Sequence, residues 1–204
     1  MRTDIIKRRG YPEDFAGDEL ALSMSSYKQT ARYLAQRVRP YGEVVCELCC
    51  GVGVSMIELT RVFRYVVGVD SNSAVLADCE RNLRAAGAKN YTLIASDITT
   101  SSAFEDLQAD VLLYDIPYWN HQRPEETPQL KNPDLRATVA AMRQFVTNNI
   151  VIYAPPAMTY TEVFGLLGPC EYNEVYINGK HDRNFIFLGR VAKKLGRTRT
   201  ELFT

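Results

Sequence analysis

Glu47 stands in an apolar run, Val44-Val45-Cys46-Glu47-Leu48, after which the chain breaks into Cys49-Cys50-Gly51-Val52-Gly53. A helical segment follows at once, Ser55-Met56-Ile57-Glu58-Leu59-Thr60, and Asp70 then ends a second apolar run, Tyr65-Val66-Val67-Gly68-Val69. Strand, tight turn, helix and a second strand tipped by an acid form the arrangement in which a ribose is gripped through its hydroxyls. Glycines in the turn let the backbone approach a ligand closely. The spacing therefore predicts an adenosine-containing cofactor.

The details of the turn choose among such cofactors. A dinucleotide site favours G-x-G-x-x-G, with a helix N-terminus aimed at a pyrophosphate. Here the pattern is E-x-C-x-G-x-G, and the carboxylate of Glu47 precedes the glycines. An acid at that place repels phosphate and suits a cationic ligand. S-adenosylmethionine has no phosphate and carries an ammonium and a sulfonium. The turn resembles motif I of the Rossmann-like methyltransferases, with Cys49 where many members have their first glycine. Placement at strand ends assigns Glu47, Gly51 and Gly53 to the methionine end of the cofactor, Asp70 to the ribose, and Asp97 with Ile98 to the adenine, with Cys49 and Ser71 as further cofactor-binding residues.

A second motif, Asp115-Ile116-Pro117-Tyr118, directly follows the apolar run Val111-Leu112-Leu113-Tyr114. It belongs at the carboxyl edge of a parallel sheet, beside the cofactor, so Asp115 also counts as a cofactor neighbour. It resembles the (N/D/S)-P-P-(Y/F/W) motif of amino-group methyltransferases, with Ile116 in place of the first proline. An exocyclic amino nitrogen is a poor nucleophile, because its lone pair is delocalised into the ring. A side-chain oxygen and a backbone carbonyl can accept its two hydrogens and hold it in line with the methyl group. Asp115, Pro117 and Tyr118 are the expected catalytic residues, and Tyr118 with Trp119 the expected platform for a substrate base. The segment 119–133 holds Trp119, His121, Arg123 and three prolines, and is either a selectivity loop or a solvated connector. His121 and His181 are read as surface residues.

Several segments together resemble the trimethylguanosine synthase family, the RNA cap guanine-N2 methyltransferases. Cys50-Gly51-Val52-Gly53 is similar to that family's F-C-G-V-G turn, and Thr147-Asn148-Asn149-Ile150-Val151 to its entry into the fifth strand. Glu174-Val175-Tyr176-Ile177-Asn178-Gly179-Lys180 is similar to its E-x-x-F-L-N-N-K hairpin, with Phe187-Leu188-Gly189 in the strand beyond. The likeness covers about residues 20–190 and implies S-adenosylmethionine as cofactor and N-methylation of an RNA guanine as activity. It departs at the second motif, where the family has S-P-P-W and a Gly-Gly pair, and it lacks the family's long N-terminal region. Cofactor and reaction type carry over better than the cap substrate.

Alternating apolar runs and helical periods must position these residues. A helix should open at Ser25 or Ser26 and run to Val38, with strands at 44–49, 65–70, 91–95, 110–115 and 150–153. Further helices are expected at about 72–87, 134–146 and 160–167. Strands 171–177 and 184–190 should form a hairpin about Asn178-Gly179. The predicted fold is α/β: a Rossmann-like, doubly wound, mostly parallel seven-stranded sheet closed by a C-terminal antiparallel hairpin. Residues 1–24 read as a polar, irregular extension, 25–192 as the methyltransferase domain and 193–204 as a basic tail. The tail's cations either track phosphates or belong to a frayed, solvated end.

The 204 residues carry no net formal charge, so the whole molecule is no electrostatic trap for nucleic acid. Neither a membrane span nor a signal sequence is expected, and the five cysteines read as reduced thiols of a cytoplasmic protein. Cys46 and Cys49 form a C-x-x-C, but no metal site is expected because partners are lacking. The partner is expected to be RNA or a small molecule. A methyltransferase of a small molecule or protein, and a non-catalytic protein binding the cofactor or its product, remain as alternatives on the same fold.

Overall fold

The structure, a computed structural model, describes residues 2–99, 104–115 and 134–203, and the chain divides into compact units at 1–98 and 99–204. The first unit runs α1 (Arg2–Arg9), α2 (Glu19–Met24), α3 (Lys28–Val38), β1 (Val44–Leu48), α4 (Val54–Thr60), β2 (Tyr65–Asp70), α5 (Ser73–Ala85) and β3 (Tyr91–Ala95). The second runs β4 (Val111–Asp115), α6 (Leu135–Phe145), β5 (Ile150–Ala154), α7 (Tyr160–Leu167), β6 (Glu171–Ile177), β7 (Lys180–Leu188) and β8 (Gly196–Leu202). The α/β expectation holds, and the described residues supply eight strands rather than seven.

In the first unit β1 and β3 flank β2, all parallel, from Val44 beside Tyr65 to Asp70 beside Ala95. Val45, Cys46, Leu48, Val66 and Val69 are buried, as strands covered on both faces require. Asn72 caps α5 by accepting from the backbone N–H groups of Ala74 and Val75. Gly87, at φ 76°, turns the chain out of that helix, as expected of a left-handed C-terminal residue.

Residues 1–24 are not irregular. They form two helices, and Ile5, Ile6, Tyr11, Phe15 and Leu22 bury themselves in one cluster with Val52 and Val54 of the glycine turn. At eight and six residues they are too short to announce a helix by periodicity, so the packing decides. α3 begins two residues late, with Tyr27 as its N-cap, because Ser25 closes α2 and the Ser26 carbonyl accepts from the Tyr11 hydroxyl. Asn82 of α5 binds this segment to the turn. Its Oδ1 accepts from the Ala16 N–H at 2.7 Å, and its Nδ2 donates to the carbonyls of Ala16 (3.0 Å) and Val52 (2.9 Å).

In the second unit β4 pairs parallel with β5, and β5 antiparallel with β7. Asp134 and Thr159 cap α6 and α7, the latter in a reciprocal capping box with Glu162. The hairpin turns at Asn178 (φ 48°) and Gly179 (φ 79°), as the Asn-Gly signal predicts. β7, however, begins at Lys180 and not at 184, so His181, Asp182 and Arg183 lie in a strand. His181 is half-buried, stacked on Tyr176 at 4.7 Å and bonded to Asn184 at 2.8 Å, rather than a surface residue. Most of the tail is a strand too: β8 runs parallel to β6, from Gly196 beside Glu171 to Leu202 beside Ile177. Its threonines Thr198 and Thr200 bond Asn173, while Arg197 meets Glu174 and Arg199 lies over the Tyr176 ring.

Replacing Asn82 by alanine leaves the buried Val52 carbonyl and the Ala16 groups without their partner. Each such group costs about 1–3 kcal/mol when left unsatisfied. Asn82→Ala is therefore expected to lower the unfolding free energy by an amount of that order, read as a lower urea midpoint with the slope of the transition unchanged; an unaltered midpoint would remove Asn82 from this bracing role.

Candidate functional site

The first unit holds the glycine turn. Cys49 (φ 58°), Gly51 (φ 55°) and Gly53 (φ 85°) all adopt left-handed backbone conformations. Cys49 thus keeps the geometry natural to glycine, although it carries a side chain. At Gly53 packing adds to conformation, for a Cβ there would sit 2.5 Å from the Cys79 sulfur. Gly51 is the opposite case, with nothing within 4 Å of where its Cβ would be. Open space adjoins the turn at Gly51.

Asp70 ties the turn to β2. Its Oδ2 accepts from the Gly51 N–H and its Oδ1 from the Asn72 N–H, both at 3.0 Å. Glu47 is buried in β1, at 2% exposure, opposite Gly68. Ser71 and Asp97 are exposed, and Ile98 is buried. Asp97 and Ile98 follow β3, whose exit is fixed by the Ser96 N–H donating to the Asp70 carbonyl. The structure therefore brings Gly51 and Asp70 into direct contact and places Glu47, Ser71, Asp97 and Ile98 on the same three strands or just past their ends.

Cys46 and Cys50, on either side of the start of the turn, are poor nucleophiles. Burial, with the charge of Glu47, pushes the Cys46 thiol far up. Cys50 is raised by its hydrogen bond with Cys79, by burial and by neighbouring negative charge from Glu47 and Asp70. Thiols held protonated in this way behave as packing groups.

The second unit holds Asp115, the last residue of β4. Pro117, Tyr118, Trp119 and His121, with the rest of the 119–133 loop, lie outside the described residues. Three adjacent strands build the surroundings of Asp115. β5 places Tyr153 in register beside it, and β7 contributes Asp182 and Arg183. Arg183 Nη1 stands 4.0 Å from Asp115 Oδ2, and Arg183 Nε donates to Asp182 Oδ2 at 3.1 Å. The guanidinium also lies 5.7 Å from the Tyr153 ring centroid.

Burial pushes the Asp115 carboxyl up to about 6, the Arg183 charge opposes that shift, and the Asp182 charge adds to it. Its side chain keeps 32% of its surface, so the crowding is local to the carboxyl and one side stays open. The Arg183 guanidinium is held charged: burial opposes this, but the two carboxylates outweigh burial. Sequence reasoning missed Asp182, Arg183 and Tyr153. The run Lys180-His181-Asp182-Arg183 is too polar to read as a strand, and only its pairing with β6 reveals it.

A family model described as a methyltransferase domain matches residues 45–147, just over half of the 204. The chain belongs to the methyltransferase-domain family. This agrees with the enzyme class read from the glycine turn. No curated protein matches the sequence. Among solved structures, a protein of Porphyromonas gingivalis W83 assigned provisionally as a methyltransferase superposes with a TM-score of 0.74 at 17% identity. The match covers 91% of this chain but 46% of that one, so the present chain spans less than half of that protein's length. Magnesium protoporphyrin IX methyltransferase from Synechocystis PCC 6803, solved with bound S-adenosylmethionine, gives 0.60 at 13% identity over 91% of this chain and 89% of its own. Precorrin-6y C5,15-methyltransferase from Geobacter metallireducens GS-15 gives 0.58 at 15% identity over 86% and 93%. These likenesses establish the methyltransferase fold.

The raised Asp115 carboxyl has a consequence for stability. Its folded value, about 6, lies above its ordinary value of 3.8, so the folded chain binds the extra proton between those limits. The group's unfavourable contribution is complete above about pH 6 and vanishes below about pH 4. Urea unfolding of the wild type and of Asp115→Asn from pH 4 to 7 should show the wild type losing stability relative to the variant as pH rises through that window. Parallel profiles would contradict the assigned shift.

Proposed function

We propose that this methyltransferase transfers a methyl group from S-adenosylmethionine to an exocyclic amino group of guanine in RNA. The observation that carries the reading is Asp115: a partly open carboxylate at the tip of β4, with a cation and an aromatic ring as its neighbours.

The residues of the first unit fit the cofactor. Open space adjoins Gly51, the buried Glu47 supplies negative charge suited to the ammonium, and each Asp70 oxygen retains acceptor capacity beyond its one backbone donor. Asp70 and Ser71 suit the ribose hydroxyls, and Asp97 with Ile98 the adenine. S-adenosylmethionine is the methyl donor, supplying the methyl on a sulfonium that leaves as a neutral thioether. Asp115 accepts an N–H of the target amino group, orients the nitrogen lone pair and takes up the proton released as the new N–C bond forms. The backbone at Pro117 accepts the second N–H, and Tyr118 and Trp119 stack on the base.

The RNA guanine rests on the resemblance outside the cofactor turn, in Thr147–Val151 and in the Glu174–Lys180 hairpin, and on two adjacent aromatics suited to a flat substrate. A small-molecule acceptor is the second reading. The zero net charge favours it, as does the engagement of Arg197 by Glu174 and of Arg199 by Glu201.

Radiolabelled methyl transfer to total RNA, small RNA and cell extract, with nuclease and protease controls, separates these readings. Label in a nuclease-sensitive product is expected. Transfer only to a small molecule would replace the RNA reading. Asp70→Ala should weaken S-adenosylmethionine binding by about 1–3 kcal/mol, the scale of lost charged hydrogen bonds, and calorimetry giving wild-type affinity would remove Asp70 from the site. Asp115→Ala should lower kcat with cofactor affinity nearly intact, because its contact matters most in the transition state. RNA binding should weaken steeply with salt, and substituting the exposed Lys193 and Lys194 should flatten that dependence.

A further inference from the structure

Arg183 is an unusual residue to find beside a reacting group. Its side chain is 12% exposed, it is donated to the site by an antiparallel strand two places from β4, and it faces two carboxylates at once. Asp182, with a side chain 10% exposed, accepts from Nε at 3.1 Å and so fixes the plane of the guanidinium. Nη1 then points toward Asp115 at 4.0 Å, outside hydrogen-bonding distance but well within Coulombic reach. The Tyr153 ring stands 5.7 Å from the same guanidinium, from the strand between. A cation held at this separation attracts the Asp115 carboxylate while leaving its lone pairs to another donor.

We propose that Arg183 is the positioning residue of the reaction: clamped by Asp182, it keeps the Asp115 carboxylate charged and aimed, with its acceptor oxygens open to the target amino group. This assignment rests on the methyl-transfer reading of Asp115. Among the described residues, the charged groups that act on Asp115 are Arg183 and Asp182 of β7, while β5 presents the Tyr153 ring. Burial and Asp182 both favour the protonated acid, and Arg183 is the opposing influence. A protonated Asp115 would retain acceptor capacity on one oxygen but would be unable to take the proton that leaves the nitrogen. Arg183 thereby sets the lower pH limit of turnover without touching the substrate. A fully formed bidentate pair would consume the same oxygens that the amino group needs, so the 4.0 Å gap serves the reaction better than a closed ion pair.

The test follows the Asp115 carboxyl by carbon NMR in the cofactor-free chain, alongside kcat as a function of pH. In the wild type the midpoint should lie at about 6. Arg183→Met should move it upward by about a unit or more, so that roughly tenfold less carboxylate is present well below the wild-type midpoint and about threefold less at pH 6.5. kcat at pH 6.5 should fall accordingly, recover as pH is raised, and leave the KM for S-adenosylmethionine unchanged. Arg183→Lys keeps the charge and should hold the midpoint near the wild-type value, which also serves if the methionine variant does not fold. An unmoved midpoint in Arg183→Met, or a shift in Arg183→Lys as large as that for a neutral residue, overturns the assignment. The titration needs no methyl acceptor, so this failure is separable from failure of the methyl-transfer reading, which the wild-type transfer assay alone decides.

Discussion

Parallel pairing between β1 and β2 runs residue for residue from Val44 and Tyr65 to Leu48 and Val69, and this register governs the geometry of the first unit. In a parallel sheet every strand delivers its carboxyl end to one edge, so two acids that end consecutive strands arrive together. Here the register leaves Asp70 one residue beyond the last pair, close enough for its carboxylate to receive the Gly51 N–H. A slip of one residue would turn Asp70 to the other face and leave that N–H unmatched. The left-handed backbone at Cys49, Gly51 and Gly53 follows from the same requirement. The chain must leave β1, pass the Asp70 carboxylate and enter α4 within five residues.

A turn of this kind gains little from its own contacts, because its backbone groups are few and its glycines lose much entropy on folding. The N-terminal segment and α5 make up the difference. Val52 and Val54 share a buried cluster with Ile5, Ile6, Tyr11, Phe15 and Leu22, and Asn82 holds Val52 and Ala16 through one side chain. Support for the glycine turn thus comes from residues outside it. The Cys50 thiol, hydrogen-bonded with Cys79 and held protonated, belongs to the same support.

The elements legible in the sequence are those whose local pattern and tertiary role agree. β2, β3, α7 and the Asn178-Gly179 turn sit where apolar runs, caps and turn residues place them. What was illegible follows a common physical cause. α1 and α2 are stabilised by an apolar cluster gathered from distant residues, and neither has the repeating face that marks a helix. β8 alternates arginine with threonine and reads as a tail, yet its threonines bond Asn173 on one face while its arginines meet Glu174 and the Tyr176 ring. The first residues of β7 are polar and charged, and that polarity concealed Arg183. Asp115 was visible from its place at the end of an apolar run. The cation that controls it arrives from some seventy residues later in the chain, a relation only the antiparallel return of β7 creates.

The zero net charge acquires a specific meaning from the way the cations are placed. Arg183 lies between Asp115 and Asp182, Arg197 meets Glu174, and Arg199 meets Glu201 while stacking on Tyr176. The exposed pairs contribute little to stability, since solvent screens them, but they do cancel the far field of these arginines. Lys193 and Lys194 differ, for it is their backbone N–H groups that Glu171 receives, and the residues themselves are exposed. The far field of these arginines is therefore weak, the exposed Lys193 and Lys194 still present their charge to solvent, and the groups around the tip of β4 act on one another at short range. In such a site the charge state of one carboxylate matters more than the sum of all charges. A buried arginine clamped by a neighbouring acid is the means by which a molecule without net charge can control it.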